Sequence, residues 1–158
     1  MISLWLADAD ATDALGAALA STRPSAAVVH LRGELGAGKS TLARALLRAL
    51  GVTGAIRSPT YTLVERYPLP AGSEAWHLDL YRIGGASELE YLGLDTDEAS
   101  LWLIEWPERG LGTLPPPDLV VELEVEGGGR RIRIDAASPA GQRWLDALAA
   151  LKGLPGNS

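Results

Sequence analysis

Cysteine is absent from the 158-residue sequence, and histidine and lysine occur only twice each. The first absence removes disulfides, thiolate zinc sites and a thiol nucleophile. The second leaves only His30 and His77, too few imidazoles for a histidine-based metal centre. No apolar run reaches the about 18 residues of a bilayer span. The opening MISLWLADADATDALGAALA has no basic residue ahead of its apolar part and carries Asp8, Asp10 and Asp13, unlike a secretory leader. A soluble, cytoplasmic protein without a membrane partner is expected. Like-charge runs never exceed three residues and the net charge is -6, so a general grip on the nucleic-acid backbone has little to work with. Any contact with RNA would be local or made through a partner.

What is present is 47% hydrophobic and 22% charged residues, over a length suited to one globular domain with one core. Residues 1–152 are expected to form it, with 153–158 a flexible tail. Asp13 to Ala20 fits a short amphipathic helix, capped by Thr12 or Asp10. AAVVHL, Ala26 to Leu31, is a compact apolar run of the buried-strand type, and STLARALLRAL, Ser40 to Leu50, is rich in helix formers and stops at Gly51. TYTLVERY and AWHLDLYRI read as strands joined by the turn PLPAGSE; in the second, Trp76, Leu78 and Leu80 share one face and His77, Asp79 and Tyr81 the other. Ser87 and Glu90 form a capping box that opens a short helix. SLWLIEW is a second buried strand ended by Pro107. DLVVELEVE and RRIRIDA flank a glycine turn as a hairpin, and GQRWLDALAALK is a closing helix. Alternation of helix and strand makes the class α/β.

LRGELGAGKST, between the first buried strand and its helix, satisfies G-x-x-x-x-G-K-[ST] through Gly33, Gly38, Lys39 and Ser40, with Gly36 within the loop. Gly33, Gly36 and Gly38 permit positive backbone torsions, so the amides of Glu34, Ala37 and their neighbours can turn inward as a nest for phosphate oxygens. The following helix adds free N–H groups and the positive end of its dipole. Lys39 brings a point charge to the β and γ phosphates, and the Ser40 hydroxyl is a magnesium ligand. A plain glycine turn capping a helix has no need of a lysine followed by two hydroxyls, Ser40 and Thr41. In a chain with twelve arginines, the lysine stands out.

A phosphate-binding loop also needs an acid at the end of a neighbouring strand to hold magnesium through its water shell. Glu105 follows the apolar LWLI and ranks first; Asp79, on the alternating HLDLYR, ranks second. One can serve the metal and the other the attacking water. Each has the alternative reading of a surface carboxylate. Ser58, Thr60 and Thr62 follow the first loop helix, where switch proteins sense the γ-phosphate, although an ST-turn at Pro59 explains them equally. Arg57, Arg82 and Arg109 are candidates for charge stabilisation that spacing does not separate. Trp5, Trp76, Trp102, Trp106 and Trp144 fit either a partner surface or a core, with core packing the commoner fate.

With these residues in hand, the sequence resembles the TsaE family, formerly YjeE, over about Thr12 to Arg133, through LRGELGAGKST, SPTYTLVERY, HLDLYRI followed by ELEYLGL, and IEWPERG. The resemblance implies a P-loop NTPase fold, with a central, mostly parallel sheet flanked by helices and extended by antiparallel strands and hairpins. It implies magnesium-dependent ATP hydrolysis yielding ADP, and association with TsaB and TsaD in threonylcarbamoyladenosine modification of tRNA at adenosine 37, with tRNA met only through those partners. Lys39 and Ser40 match the family's loop lysine and metal hydroxyl, Asp79 its Walker B aspartate, and Glu105 its metal-linked glutamate with Trp106 beside it. Thr60 falls in the switch-like segment, and Arg130 near an arginine that approaches the nucleotide. Ser40 stands where threonine is usual, and the stretch after Glu108 matches loosely.

Two other readings remain. A small-molecule kinase would need an acceptor site and an arginine-rich lid, for which only RRIR, Arg130 to Arg133, offers material. A binding module without turnover would need neither acid. No N-K-x-D guanine-reading motif occurs, which favours adenine.

Overall fold

The computed structural model describes residues 1–70, 72–84, 88, 98–110 and 112–155. The helix expected from Ser87 and Glu90 lies outside them, as does the end of the chain from residue 156. In chain order the elements are β1 (Ile2–Leu6), α1 (Ala9–Thr22), β2 (Ala27–Arg32), α2 (Lys39–Ala49), β3 (Val64–Pro68), β4 (Glu74–Asp79), β5 (Ala99–Glu105), a 3-10 turn at Pro107–Gly110, β6 (Leu119–Glu126), β7 (Gly129–Ala136) and α3 (Pro139–Ala149).

Among the described residues one seven-stranded sheet runs in the order β1-β7-β6-β2-β5-β4-β3. It is mixed rather than mostly parallel. The central pairings β6 with β2, β2 with β5, and β5 with β4 are parallel, while β1 with β7, β7 with β6, and β4 with β3 are antiparallel. The cause is local: the turns after Pro68 and after Glu126 are too short for a crossover and fold each strand back on its neighbour.

The sheet buries both faces. Ala75, Leu101, Leu103, Val29 and Leu31 join Leu15, Leu42 and Trp144 in the main core. A smaller core on the opposite face contains Trp76, Leu78, Trp102 and Ile104, with the Trp76 and Trp102 ring centroids 4.9 Å apart. Period-two alternation therefore puts His77 and Asp79 on the same side of β4 as Ala75, the side of the main core.

Several local expectations shift. Helix α1 begins earlier than Asp13 and is capped by Asp8, whose side chain accepts from the Ala11 N–H at 2.9 Å, rather than by Thr12 or Asp10. Thr60 to Leu63 precede β3 instead of belonging to it, because Leu63 takes a left-handed φ of 68° and its N–H bonds back to Pro59 O at 2.8 Å. β1, unassigned in the sequence reading, buries Leu4 and Leu6 while leaving Trp5 37% exposed. Leu154, within the stretch expected to be loose, is buried in the main core.

Candidate functional site

Three parallel strands end side by side. Leu31 on β2 is in register with Glu105 on β5, and Glu105 with Asp79 on β4. Strand neighbours lie about 4.8 Å apart, so both acids stand at the carboxyl edge, beside the loop that leaves β2. In open α/β sheets this edge is where ligands bind.

The loop folds as its glycines demand. Gly33 has φ 146° and packs so closely on β6 that a Cβ would come within 2.4 Å of the Leu123 carbonyl oxygen. Gly38, at φ 105°, is the N-cap of α2 and makes no side-chain cap, leaving the first amides of the helix open. Arg130 on β7 holds the loop. Its Nε donates to Ala37 O at 3.0 Å and its Nη2 to Gly36 O at 3.4 Å. With those carbonyls taken by Arg130, the loop's amides are left to other partners.

Lys39, the first residue of α2, is buried. Its ammonium donates to Gly33 O and to Glu34 O, and sits 4.6 Å from the centroid of the Trp106 ring. Burial pushes its pKa below the ordinary lysine value, while the carboxylates of Glu105 and Asp79 pull it back up. Trp106 holds a left-handed φ of 57°, a conformation that costs a bulky residue about 1–3 kcal/mol. Its ring packs on Tyr81 at 5.0 Å.

Ser40 Oγ donates to Glu105 Oε2 at 2.9 Å. Thr60 Oγ1 donates to Asp79 Oδ2 at 3.4 Å, and the Tyr81 N–H to Asp79 Oδ1 at 3.0 Å. Both acids are buried, Glu105 at 3% and Asp79 at 6% exposure. Lys39, Ser40, Thr60, Asp79, Glu105 and Trp106 all line one cleft of about 280 Å³, with Gly36, Gly38, Thr41 and Arg130 at its wall. The structure thus brings together the loop, both ranked acids and one of the three candidate hydroxyls. Ser58 bonds Thr60, and Thr62 turns to Glu65.

Of the candidate arginines, Arg82 lies over Tyr61 at 4.9 Å and Arg109 over Tyr81 at 5.1 Å, and neither they nor Arg57 line the cleft. Arg131 and Arg133 pair with Glu126 and Glu124 on the neighbouring strand, so RRIR is a hairpin arm and forms no lid. Trp76, Trp102 and Trp144 are core residues. The sequence reading gave no role to His77, whose Nε2 lies 2.6 Å from Glu105 Oε2; its placement on Asp79's face of the strand was the available sign.

The molecule is thus a mixed α/β protein whose glycine-rich loop and strand-end acids share one cleft. The chain belongs to the TsaE family: the model for the threonylcarbamoyl adenosine biosynthesis protein TsaE matches residues 6–132. It is 42% identical over 128 residues to the tRNA threonylcarbamoyladenosine biosynthesis protein TsaE of Haemophilus influenzae, covering 78% of this chain and 79% of that one. It is 37% identical over 138 residues to the protein of the same name from Streptomyces coelicolor, covering 84% and 93%. The crystal structure of Bacillus subtilis YdiB superposes with a TM-score of 0.75 at 23% identity, over 94% of this chain and 93% of that one, a likeness of fold. No helix among the described residues is long and apolar enough to cross a membrane.

Proposed function

We propose that the chain is a P-loop ATPase that hydrolyses ATP with magnesium in the cytoplasm and serves threonylcarbamoyladenosine modification of tRNA alongside TsaB and TsaD, meeting tRNA only through them. The observation that carries this reading is the shared cleft, in which a glycine loop, one ammonium group, the Ser40 and Thr60 hydroxyls and two in-register carboxylates face one another.

The donor set fits magnesium. Among the described residues no three His, Cys, Asp or Glu side chains converge as a complete metal cage. Magnesium favours such a sparse site, since it keeps several waters and takes its remaining oxygens from one or two carboxylates and the substrate phosphates. Ser40 and Glu105, already hydrogen-bonded, and Asp79 beside them, are the residues that would hold it. When bound, the ion neutralises charge on the β and γ phosphate oxygens.

Lys39 exchanges Gly33 O and Glu34 O for phosphate oxygens, gaining charge-assisted bonds for neutral ones. Gly33, Gly36 and Gly38 shape the nest, and the amides around Ala37 and Thr41 fill it. Thr60 and Asp79 face the γ end, where they orient the water that adds to phosphorus as the bond to ADP breaks. A second cleft of about 270 Å³ continues past Gly38, Thr41 and Arg130 to Leu6, Thr12 and Leu123. Its mixed lining suits a purine and its sugar.

Titration with Mg·ATP, followed by phosphate release with and without TsaB and TsaD, tests the reading. Saturable binding that Lys39→Met weakens is expected, with inorganic phosphate as product. A phosphorylated metabolite formed from a panel of acceptors would transfer the assignment to the kinases.

A further inference from the structure

His77 is buried at 2% exposure on β4, in a site whose every other polar side chain has a task. Its Nε2 lies 2.6 Å from Glu105 Oε2, the shortest contact that carboxylate makes, and both side chains are shut off from solvent, at 2% and 4%. The same oxygen accepts from Ser40 Oγ at 2.9 Å. Among the described residues Oε1 has only a longer approach, 3.2 Å to that same hydroxyl.

A carboxylate only accepts hydrogen bonds, so His77 Nε2 carries the proton on this side of the ring and donates it to Glu105. His77 Nδ1 is buried and has no hydrogen-bond partner among the described residues. A bond so short and so enclosed fixes the carboxylate's plane, since rotation about the last side-chain torsion would leave both partners unsatisfied in an apolar surround.

We propose that His77 is a positioning residue for the metal-binding step: by donating through Nε2–H it fills Oε2 jointly with Ser40 and leaves Oε1 as the oxygen offered to a hydrated divalent cation. This rests on the magnesium site proposed above and adds to it the group that orients its principal carboxylate. Outer partners of metal-ligating groups commonly change metal affinity by about 10- to 100-fold when removed. His77 is not among the residues that line the cleft, so it acts on the cation's affinity and not on the triphosphate's.

The test compares the full-length chain with His77→Gln, which keeps an N–H donor at about the reach of Nε2, with His77→Leu, which removes the donor, and with His77→Asn, whose amide is too short to reach Glu105. Fluorescent ATP binding is titrated with Mg²⁺ and, separately, measured in EDTA, with thermal unfolding as the check on folding. His77→Leu is expected to raise the Mg²⁺ concentration for half-maximal enhancement by roughly tenfold or more, with affinity in EDTA within about twofold of wild type and His77→Gln restoring most of the Mg²⁺ response. Should His77→Leu not fold, His77→Asn against His77→Gln gives the same comparison. An unchanged Mg²⁺ requirement in a folded donor-less variant overturns the proposal, as does a His77→Gln variant as deficient as His77→Leu. A wild-type chain indifferent to Mg²⁺ and ATP would instead overturn the reading of the site itself.

Discussion

Asp79 and Glu105 stand in register on adjacent parallel strands, yet it is Glu105 whose carboxylate accepts the Ser40 hydroxyl, while Asp79 accepts from Thr60. The pair is therefore divided in its hydrogen-bond partners although it is joined in space. Glu105→Gln preserves the shape and removes the charge. It is expected to slow phosphate release by on the order of 10²- to 10⁴-fold while ATP binding in EDTA persists. Asp79→Asn is expected to slow release with a smaller change in Mg²⁺ requirement. Wild-type turnover in Glu105→Gln would remove that residue from the mechanism.

Lys39 carries a charge that burial disfavours in the free protein, and the carboxylates of Glu105 and Asp79 offset only part of that penalty. Lys39→Met is expected to weaken triphosphate binding by roughly 10- to 150-fold, the worth of hydrogen bonds to a charged group, ~1.5–3 kcal/mol. Calorimetric titration measures it. Thermal stability is expected to stay level or rise, and a large fall would mean that the lysine is structural.

Gly33 is the loop position with least room. Gly33→Ala drives a methyl group into the Leu123 carbonyl and forbids φ 146°. Overpacking of this kind costs about 1–3 kcal/mol, which for a chain of this size lowers the melting temperature by roughly 2–12 °C. Gly36→Ala meets no atom within 4 Å, though its φ of 80° still strains it, and is expected to destabilise less. Equal losses would contradict the close approach.

His30, on β2, is buried, and its Nε2 has no hydrogen-bond partner among the described residues. Burial lowers its pKa below the ordinary value of 6.5. Above that value the ring is neutral in both folded and unfolded chains, and nothing is lost. As the pH falls below it, the unfolded chain takes the proton first, so stability declines by up to ~1.4 kcal/mol per pH unit until the folded-state pKa is crossed. His30→Leu is expected to flatten this acid limb in urea unfolding at about pH 5.5 and about pH 7.5. A slope unaltered by the substitution would assign the acid sensitivity to other groups.

Turnover of the isolated chain is expected to be slow. Arg82 lies against Tyr61 and Arg109 against Tyr81 and Trp106, neither lines the cleft, and Arg130 is committed to loop carbonyls, so none of them stands as an internal finger. A missing arginine costs related switches about 10³ to 10⁵ in rate until a partner supplies it. Rates on the order of 10 per second in the chain alone would refute this.

The parts of the site that were legible in the sequence are those whose signal is contiguous. Gly33 to Ser40 announce their loop because glycine torsions and the helix start are encoded within a few residues, and LWLIE reads as a buried strand ending in an acid. The parts that were not legible depend on residues distant along the chain. His77 meets Glu105 across 28 positions and Arg130 meets Ala37 across 93, so no window on the sequence displays either contact. β1 escaped notice because five alternating residues are a weak pattern until β7 lies beside them. Thr60 was drawn into a strand by its β-branched neighbours, where the left-handed Leu63 in fact holds it back as a turn facing Asp79.

The strand order also determines when the molecule can exist. Ile2 to Leu6 lie next to Arg130 to Ile134, and β2 takes β6 on one side and β5 on the other. On the ribosome, β1 must wait, unpaired, for β7, the last strand of the described sheet. Such long-range closures slow folding, and a nascent chain halted before the β6–β7 hairpin would carry the complete glycine-lysine motif but lack the arginine that holds its loop in shape.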